Sequence, residues 1–232
     1  MTPGPRIPPG ETMSTLDYAR VRETMVEQQI RPWDVLDNRV LEVLATLPRD
    51  AFVAEANRVL AYADLQLPIG HGEVMLKPVV EARVLQALAL QPGDSVLEIG
   101  SGSGWFAACL GALAGDVLGL DHHADFVDAA RARLDATGLG GNVSLEVADA
   151  MNWDTDRRFD AICVSGAVAK VPEHFLRWLR PGGRLFAVRG VAPAMDAVLV
   201  HAGDVNAPRV ESLFETDIPY LTGAEPAPRF DW

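Results

Sequence analysis

The chain has 232 residues, 49% apolar and 22% charged, with 32 acidic against 20 basic side chains and a formal net charge of −12. That composition excludes collagen-like and disordered classes, and the acidic balance argues against nucleic acid as a partner, because phosphate binding draws on Lys and Arg. The two cysteines, Cys109 and Cys163, make no disulfide framework and lack the neighbours of a structural zinc site.

The longest apolar run, Phe106 to Gly115, falls short of the roughly 20 residues a membrane helix needs. No membrane partner is expected. Residues 1–13 read as a disordered lead, since Met1 to Thr12 carries four prolines and two glycines without the apolar centre of a signal peptide. Cytoplasmic residence and a monomeric state are the corresponding expectations.

Residues 14–66 read as a helical N-terminal region. Ser14 to Asp17 can cap a helix that runs to Ile30 and stops at Arg31-Pro32, and Asp37 can cap a second with Val40, Leu41, Leu44 and Leu47 on its apolar stripe. A short helical pattern from Ala54 to Tyr62 follows. The stretch from Asp64 to Lys77 has no clear period and is broken by Pro68, Gly70 and Gly72, so it reads as an extended loop feeding a helix from Pro78 to Leu90.

From Gln91 the texture changes. Strand-like runs at 95–99, 117–120, 143–147, 159–164 and 184–188 alternate with helical ones at 105–114, 124–136 and 172–179. Such alternation predicts an α/β, doubly wound, mostly parallel sheet with helices on both faces. Two further runs, 197–201 and 209–215, have no helix between them and predict an antiparallel hairpin at one edge, giving seven strands in a core spanning 67–232.

The strongest chemical signal is Val96-Leu-Glu98-Ile-Gly100-Ser101-Gly102-Ser-Gly104, a buried-type strand that carries an acid and runs into a glycine bend and a helix. Glycines at alternate positions permit a tight strand-to-helix turn and close approach of a ligand, in a bend where free N–H groups collect. A dinucleotide fold would space its glycines differently. Asp121 ends the next strand 21 positions after Gly100, which is the place of a ribose-binding acid. With Asp149-Ala150 after the third strand and Leu179-Arg-Pro-Gly-Gly-Arg184-Leu185 before the fifth, the series resembles the class I S-adenosylmethionine-dependent methyltransferases.

Upstream, Met25-Val-Glu-Gln-Gln-Ile30, Pro48-Arg-Asp-Ala-Phe-Val53, Ala61-Tyr-Ala-Asp64 and Leu67-Pro-Ile-Gly-His-Gly72 are similar to the N-terminal half of protein-L-isoaspartate O-methyltransferases. The resemblance runs from about Tyr18 to Gly190 and implies S-adenosylmethionine as cofactor. It implies isoaspartyl-containing proteins or peptides as partners, methylated on a free carboxylate. It assigns Glu98, Gly100, Ser101, Gly102, Gly104, Asp121, His122, Asp149, Ala150 and Ser165 to the cofactor, and the loop 67–77, with Ile69, Gly70, His71 and Val74, to the acceptor.

That loop departs from the family's approximate Gly-x-Gly-Gln-Thr-Ile-Ser-Gln-Pro. Val74 and Leu76 occupy the hydroxyl positions, and two charges, Glu73 and Lys77, appear nearby. Lys77 can pair with an acidic acceptor, Glu73 can serve as general base for a phenol or amine, or both can be solvated loop charges. A small-molecule acceptor and a non-catalytic cofactor-binding module therefore stand as alternatives to isoaspartyl methylation. His122 and His123, adjacent in sequence, read as loop or helix-start surface and no metal is expected; Trp105 reads as either pocket or core.

Overall fold

A computed structural model describes residues 17–203 and 208–227. The expected lead, 1–13, and the candidate cap Ser14 lie outside them. Asp17 caps α1 (Tyr18–Met25) by accepting the Arg20 N–H at 3.2 Å. The helix then widens into a π turn, Val26–Ile30, and tightens into a 3-10 turn, Arg31–Trp33, which ends at Asp34 with φ +61. Asp37 caps α2 (Asn38–Thr46) as expected, and Val40, Leu41, Val43 and Leu44 are buried. The pattern at 54–62 forms a 3-10 segment, Glu55–Leu60.

The stretch expected as an extended loop contains a small antiparallel hairpin, β1 (Leu67–Gly70) with β2 (Glu73–Met75). His71 and Gly72 turn it, at φ +52 and +85. Helix α3 (Pro78–Leu88) starts on proline, where a missing N–H costs nothing, and stops two residues early because Ala89 takes φ +45.

The main sheet holds β3 (Ser95–Ile99), β4 (Asp116–Asp121), β5 (Val143–Val147), β6 (Phe159–Val168), β7 (Leu179–Val191), β8 (Ala194–His201) and β9 (Arg209–Thr216). Their order is β5-β4-β3-β6-β7-β8-β9; the first five are parallel, and β8 and β9 run antiparallel at the edge. Alternation within β3 sends Val96 to one face and Leu97 and Ile99 to the other. The first face packs on α1 to α3, α4 (Trp105–Leu113) and α5 (Ala124–Thr137). The second face is covered by Phe175 of the short α6 (Glu173–Arg177), Trp178 and loop side chains.

Two boundaries differ from expectation. The helix expected at 172–179 shrinks to five residues because β7 begins at Leu179, so Arg-Pro-Gly-Gly is drawn into an irregular strand start. Strand β6 runs on to Val168 through a register break between Cys163 and Ala167, which places Ser165 and Gly166 inside it rather than beyond it. Among the described residues no helix is long and apolar enough to cross a membrane.

Candidate active site

The carboxyl ends of β3, β4 and β6 meet the β1–β2 hairpin in one cleft of about 880 Å³, counting its open mouth. Parallel strands converge their ends in this way, so the position follows from the topology.

The glycine bend forms one wall. Gly100, Gly102 and Gly104 all have positive φ, at +89, +48 and +84, as the tight turn requires. Four of the bend's amides are engaged within the fold, so fewer are free than the sequence reading expects. Gly100 and Ser101 donate to the Leu120 carbonyl at 2.8 and 3.1 Å, Gly102 to Asp121 Oδ2 at 2.7 Å, and Gly104 to the Ser101 carbonyl at 2.8 Å. The His123 N–H holds the other Asp121 oxygen at 2.9 Å. Two backbone donors thus aim that carboxylate into the cleft.

Glu98 is the chief electrostatic feature. It is fully buried, its Oε1 accepts from Ser165 Oγ at 3.4 Å, and its Oε2 has no hydrogen-bond partner among the described residues. Burial, reinforced by the Asp121 charge, pushes its pKa up to about 8. Ser101 Oγ is likewise buried without a partner among the described residues. An unpaired carboxylate oxygen at this depth costs free energy unless a cationic or hydrogen-donating ligand meets it. The residues expected to hold an S-adenosyl group therefore fit one: an orphan acceptor for its ammonium end, an oriented acid for its ribose, and Asp149 with Ala150 lining the far side. Asp149 also stabilises its own turn through the Met151 N–H at 3.0 Å and Asn152 Nδ2 at 2.6 Å.

The facing wall is the hairpin. Ile69, Glu73, Val74, Met75 and Leu76 line the cleft. Ile69 presses onto the bend so closely that a Cβ on Gly102 would lie 2.9 Å from its Cδ1. Glu73 is raised above the ordinary carboxylate range by burial and by the Asp121 and Glu225 charges. Lys77 does not join it: the side chain is exposed at the start of α3 and does not line the cleft. Gly70 and His71 do not line the cleft but adjoin it, against Phe126 and His123 respectively, whereas His122, His123 and Ser165 are cleft residues.

Beneath the hairpin lies a network that sequence reasoning did not single out. Arg49, 1% exposed, pairs with the buried Glu81, donates from Nε to the Ala61 carbonyl at 2.8 Å, and from Nη2 to the Leu76 carbonyl at 2.7 Å. The Trp105 indole donates to Glu81 Oε2 at 2.9 Å, which resolves that tryptophan as both core and cleft floor. Arg49 was visible only as part of Pro48-Arg-Asp-Ala-Phe-Val53, and nothing local marks an arginine as buried. Leu221 and Thr222 were missed too; the Leu221 N–H donates to the Ala167 carbonyl at 2.8 Å, carrying the tail over Gly166 into the cleft.

The sequence profile of the protein-L-isoaspartate(D-aspartate) O-methyltransferase family (PCMT) matches residues 20–208. The chain belongs to that family. A protein-L-isoaspartate O-methyltransferase of Methylorubrum extorquens (strain PA1) is 42% identical over 183 residues, 76% of this chain and 79% of the relative. Protein-L-isoaspartate O-methyltransferase 1 of Rhodopseudomonas palustris (strain HaA2) is 37% identical over 236 residues, 98% and 96% of the two chains. Among solved structures, a Plasmodium falciparum member with bound S-adenosyl-L-homocysteine superposes with a TM-score of 0.76 at 18% identity, covering 89% of this chain and 99% of that one. That likeness shows a shared fold, and the chain's own sheet supplies the seven strands and the expected antiparallel edge. The PCMT family depends on S-adenosylmethionine.

Proposed function

We propose that this PCMT-family chain transfers a methyl group from S-adenosylmethionine to the free carboxylate of isoaspartyl residues in proteins or peptides. The observation that carries the reading is the orphan Glu98 oxygen beside the Asp121 carboxylate, in a cleft whose other wall is the 67–75 hairpin. The bound cofactor supplies an electrophilic methyl on a sulfonium whose positive charge disappears on transfer. Glu98 is suited to the ammonium group, Asp121 to the ribose hydroxyls, and Asp149 with Ala150 to the adenine edge. Ile69, Phe106 and Met151 give the cleft apolar walls that exclude water. A carboxylate acceptor is ionised at neutral pH and requires no base, so alignment of oxygen, methyl carbon and sulfur is the main task.

The test is methyl transfer from labelled cofactor to an isoaspartyl peptide and to its normal aspartyl isomer. Transfer confined to the isoaspartyl peptide supports the reading; cofactor binding without transfer to either removes the acceptor assignment.

A second reading has its own support. Val74 and Leu76 present hydrocarbon where a carboxylate would want donors, while the half-buried Glu73, with its raised pKa, is suited to take a proton from a phenol or amine. Under that reading a panel of small phenols and amines is methylated, and Glu73→Gln abolishes turnover while leaving cofactor affinity intact.

A further inference from the structure

We propose that His71, His123 and Asp125 form a site for a borderline divalent cation, of the zinc, cobalt or nickel kind, at the rim of the cleft. The donors come from two elements far apart in sequence: His71 from the turn of the β1–β2 hairpin, His123 and Asp125 from the start of α5. One ligand atom from each lies within 4.8 Å of the others. His71 Nε2 and Asp125 Oδ2 are 2.9 Å apart. Tetrahedral bonds of about 2.0–2.2 Å separate donors by about 3.3 Å, so side-chain rotation alone closes the set. The donors are accessible: His71 and Asp125 are exposed and His123 is half-buried.

The backbone favours this arrangement at a cost. Two-residue turns with positive φ at both positions prefer Asn-Gly, yet here the first is His71 at φ +52. The turn holds the imidazole parallel to that of His123, centroids 4.0 Å apart and planes 7° apart, with Phe126 edge-on to both rings at 5.1 and 5.2 Å. For both in-plane lone pairs to reach one ion the rings tilt out of this stack, trading ring contact for two coordinate bonds. Asp125 contributes the carboxylate oxygen of the set.

Two imidazoles and one carboxylate select zinc, cobalt or nickel over magnesium and calcium, which take oxygen sets, and three protein ligands leave a fourth position to solvent. A bound ion ties the hairpin to α5 and holds the acceptor wall down over the cleft. The adjacent pair His122-His123 concealed this in the sequence, because the partner of His123 is His71, not its neighbour. The inference does not depend on the identity of the methyl acceptor.

The test uses the full chain free of any histidine tag, titrated calorimetrically with Zn2+ and by visible absorption with Co2+. We expect one ion per chain, affinity weakened at least about tenfold in each of His71→Ala, His123→Ala and Asp125→Asn, and unchanged binding in His122→Ala and His174→Ala. Zn2+ should raise the melting temperature of the wild type and not of Asp125→Asn, an exposed substitution that spares the fold. Absence of binding at about 100 μM free ion overturns the site. So does affinity left unchanged by any of the three substitutions, which marks an adventitious ion only.

Discussion

The two walls of the cleft are built by different means. The glycine bend is fixed by its own backbone: three positive-φ glycines and four amide hydrogen bonds set its course, and Asp121 is aimed by two of its neighbours' N–H groups. The hairpin wall has almost no local reason to sit where it does. It is held from below by Arg49, 27 residues before the Leu76 carbonyl that it grips, and from above by the contact of Ile69 with the bend. A wall fixed by backbone tolerates change of its side chains, whereas one fixed by a distant side chain can have its lining altered without losing its place.

The largest effect should come from cutting the hairpin's tether. Arg49→Met leaves Glu81 buried and uncompensated and should cost about 3–5 kcal/mol of stability, read by urea unfolding. The pair Arg49→Met with Glu81→Leu should recover most of it while methyl transfer stays impaired, because the Leu76 carbonyl remains unheld. If the double variant is fully active, the two walls are not distinguished in this way.

On the other wall, Gly104→Ala places a Cβ 2.9 Å from that of Ala130 in a residue at φ +84, and should cost about 1–3 kcal/mol together with cofactor binding. Glu98→Gln should act on the two properties in opposite directions. Removing the charge partner should weaken cofactor affinity by about 10- to 100-fold, measured calorimetrically with S-adenosylhomocysteine. The same substitution should raise the melting temperature at neutral pH. The sign follows from linkage: a carboxyl raised from 4.5 to about 8 on folding favours the protonated native state, so wild-type stability falls as pH climbs through that interval, and the glutamine variant lacks the slope. Wild-type affinity for the cationic cofactor should likewise strengthen toward pH 8.

The smallest change sharpens the comparison most. Val74→Thr with Leu76→Ser should leave cofactor affinity untouched and raise isoaspartyl turnover by about tenfold, if missing hydroxyls limit that reaction. An unchanged, already robust rate would show that the loop aligns a carboxylate without them.

This division also explains what was legible in advance. The bend, Glu98, Asp121 and Asp149 could be read from the sequence because each lies at or just past a strand end in a fixed order, with Asp121 at a set distance from the first glycine. The hairpin at 67–75 was missed as structure: its pairing is only three residues deep, and its turn carries histidine where asparagine would have announced it. Lys77 was misplaced because the loop was read as one continuous surface, whereas the backbone leaves the cleft at Leu76 to start α3 on Pro78. Arg49 and Glu81 were invisible as a pair because ionic partners 32 residues apart leave no periodic trace. The helices and parallel strands were clear; the π turn after α1 and the swallowing of Arg-Pro-Gly-Gly into β7 were decided by tertiary packing.

The self-satisfied amides of the bend bear on competition inside a cell. Adenosine triphosphate shares the nucleoside of the methyl donor, but its tail needs unoccupied N–H groups or lysines to receive it. Here four of the amides are spent on Leu120, Asp121 and Ser101, and the acidic side chains of Glu98 and Asp121 line the same wall. The amides so engaged, beside two acidic side chains, make this part of the bend a poor seat for a polyanionic tail.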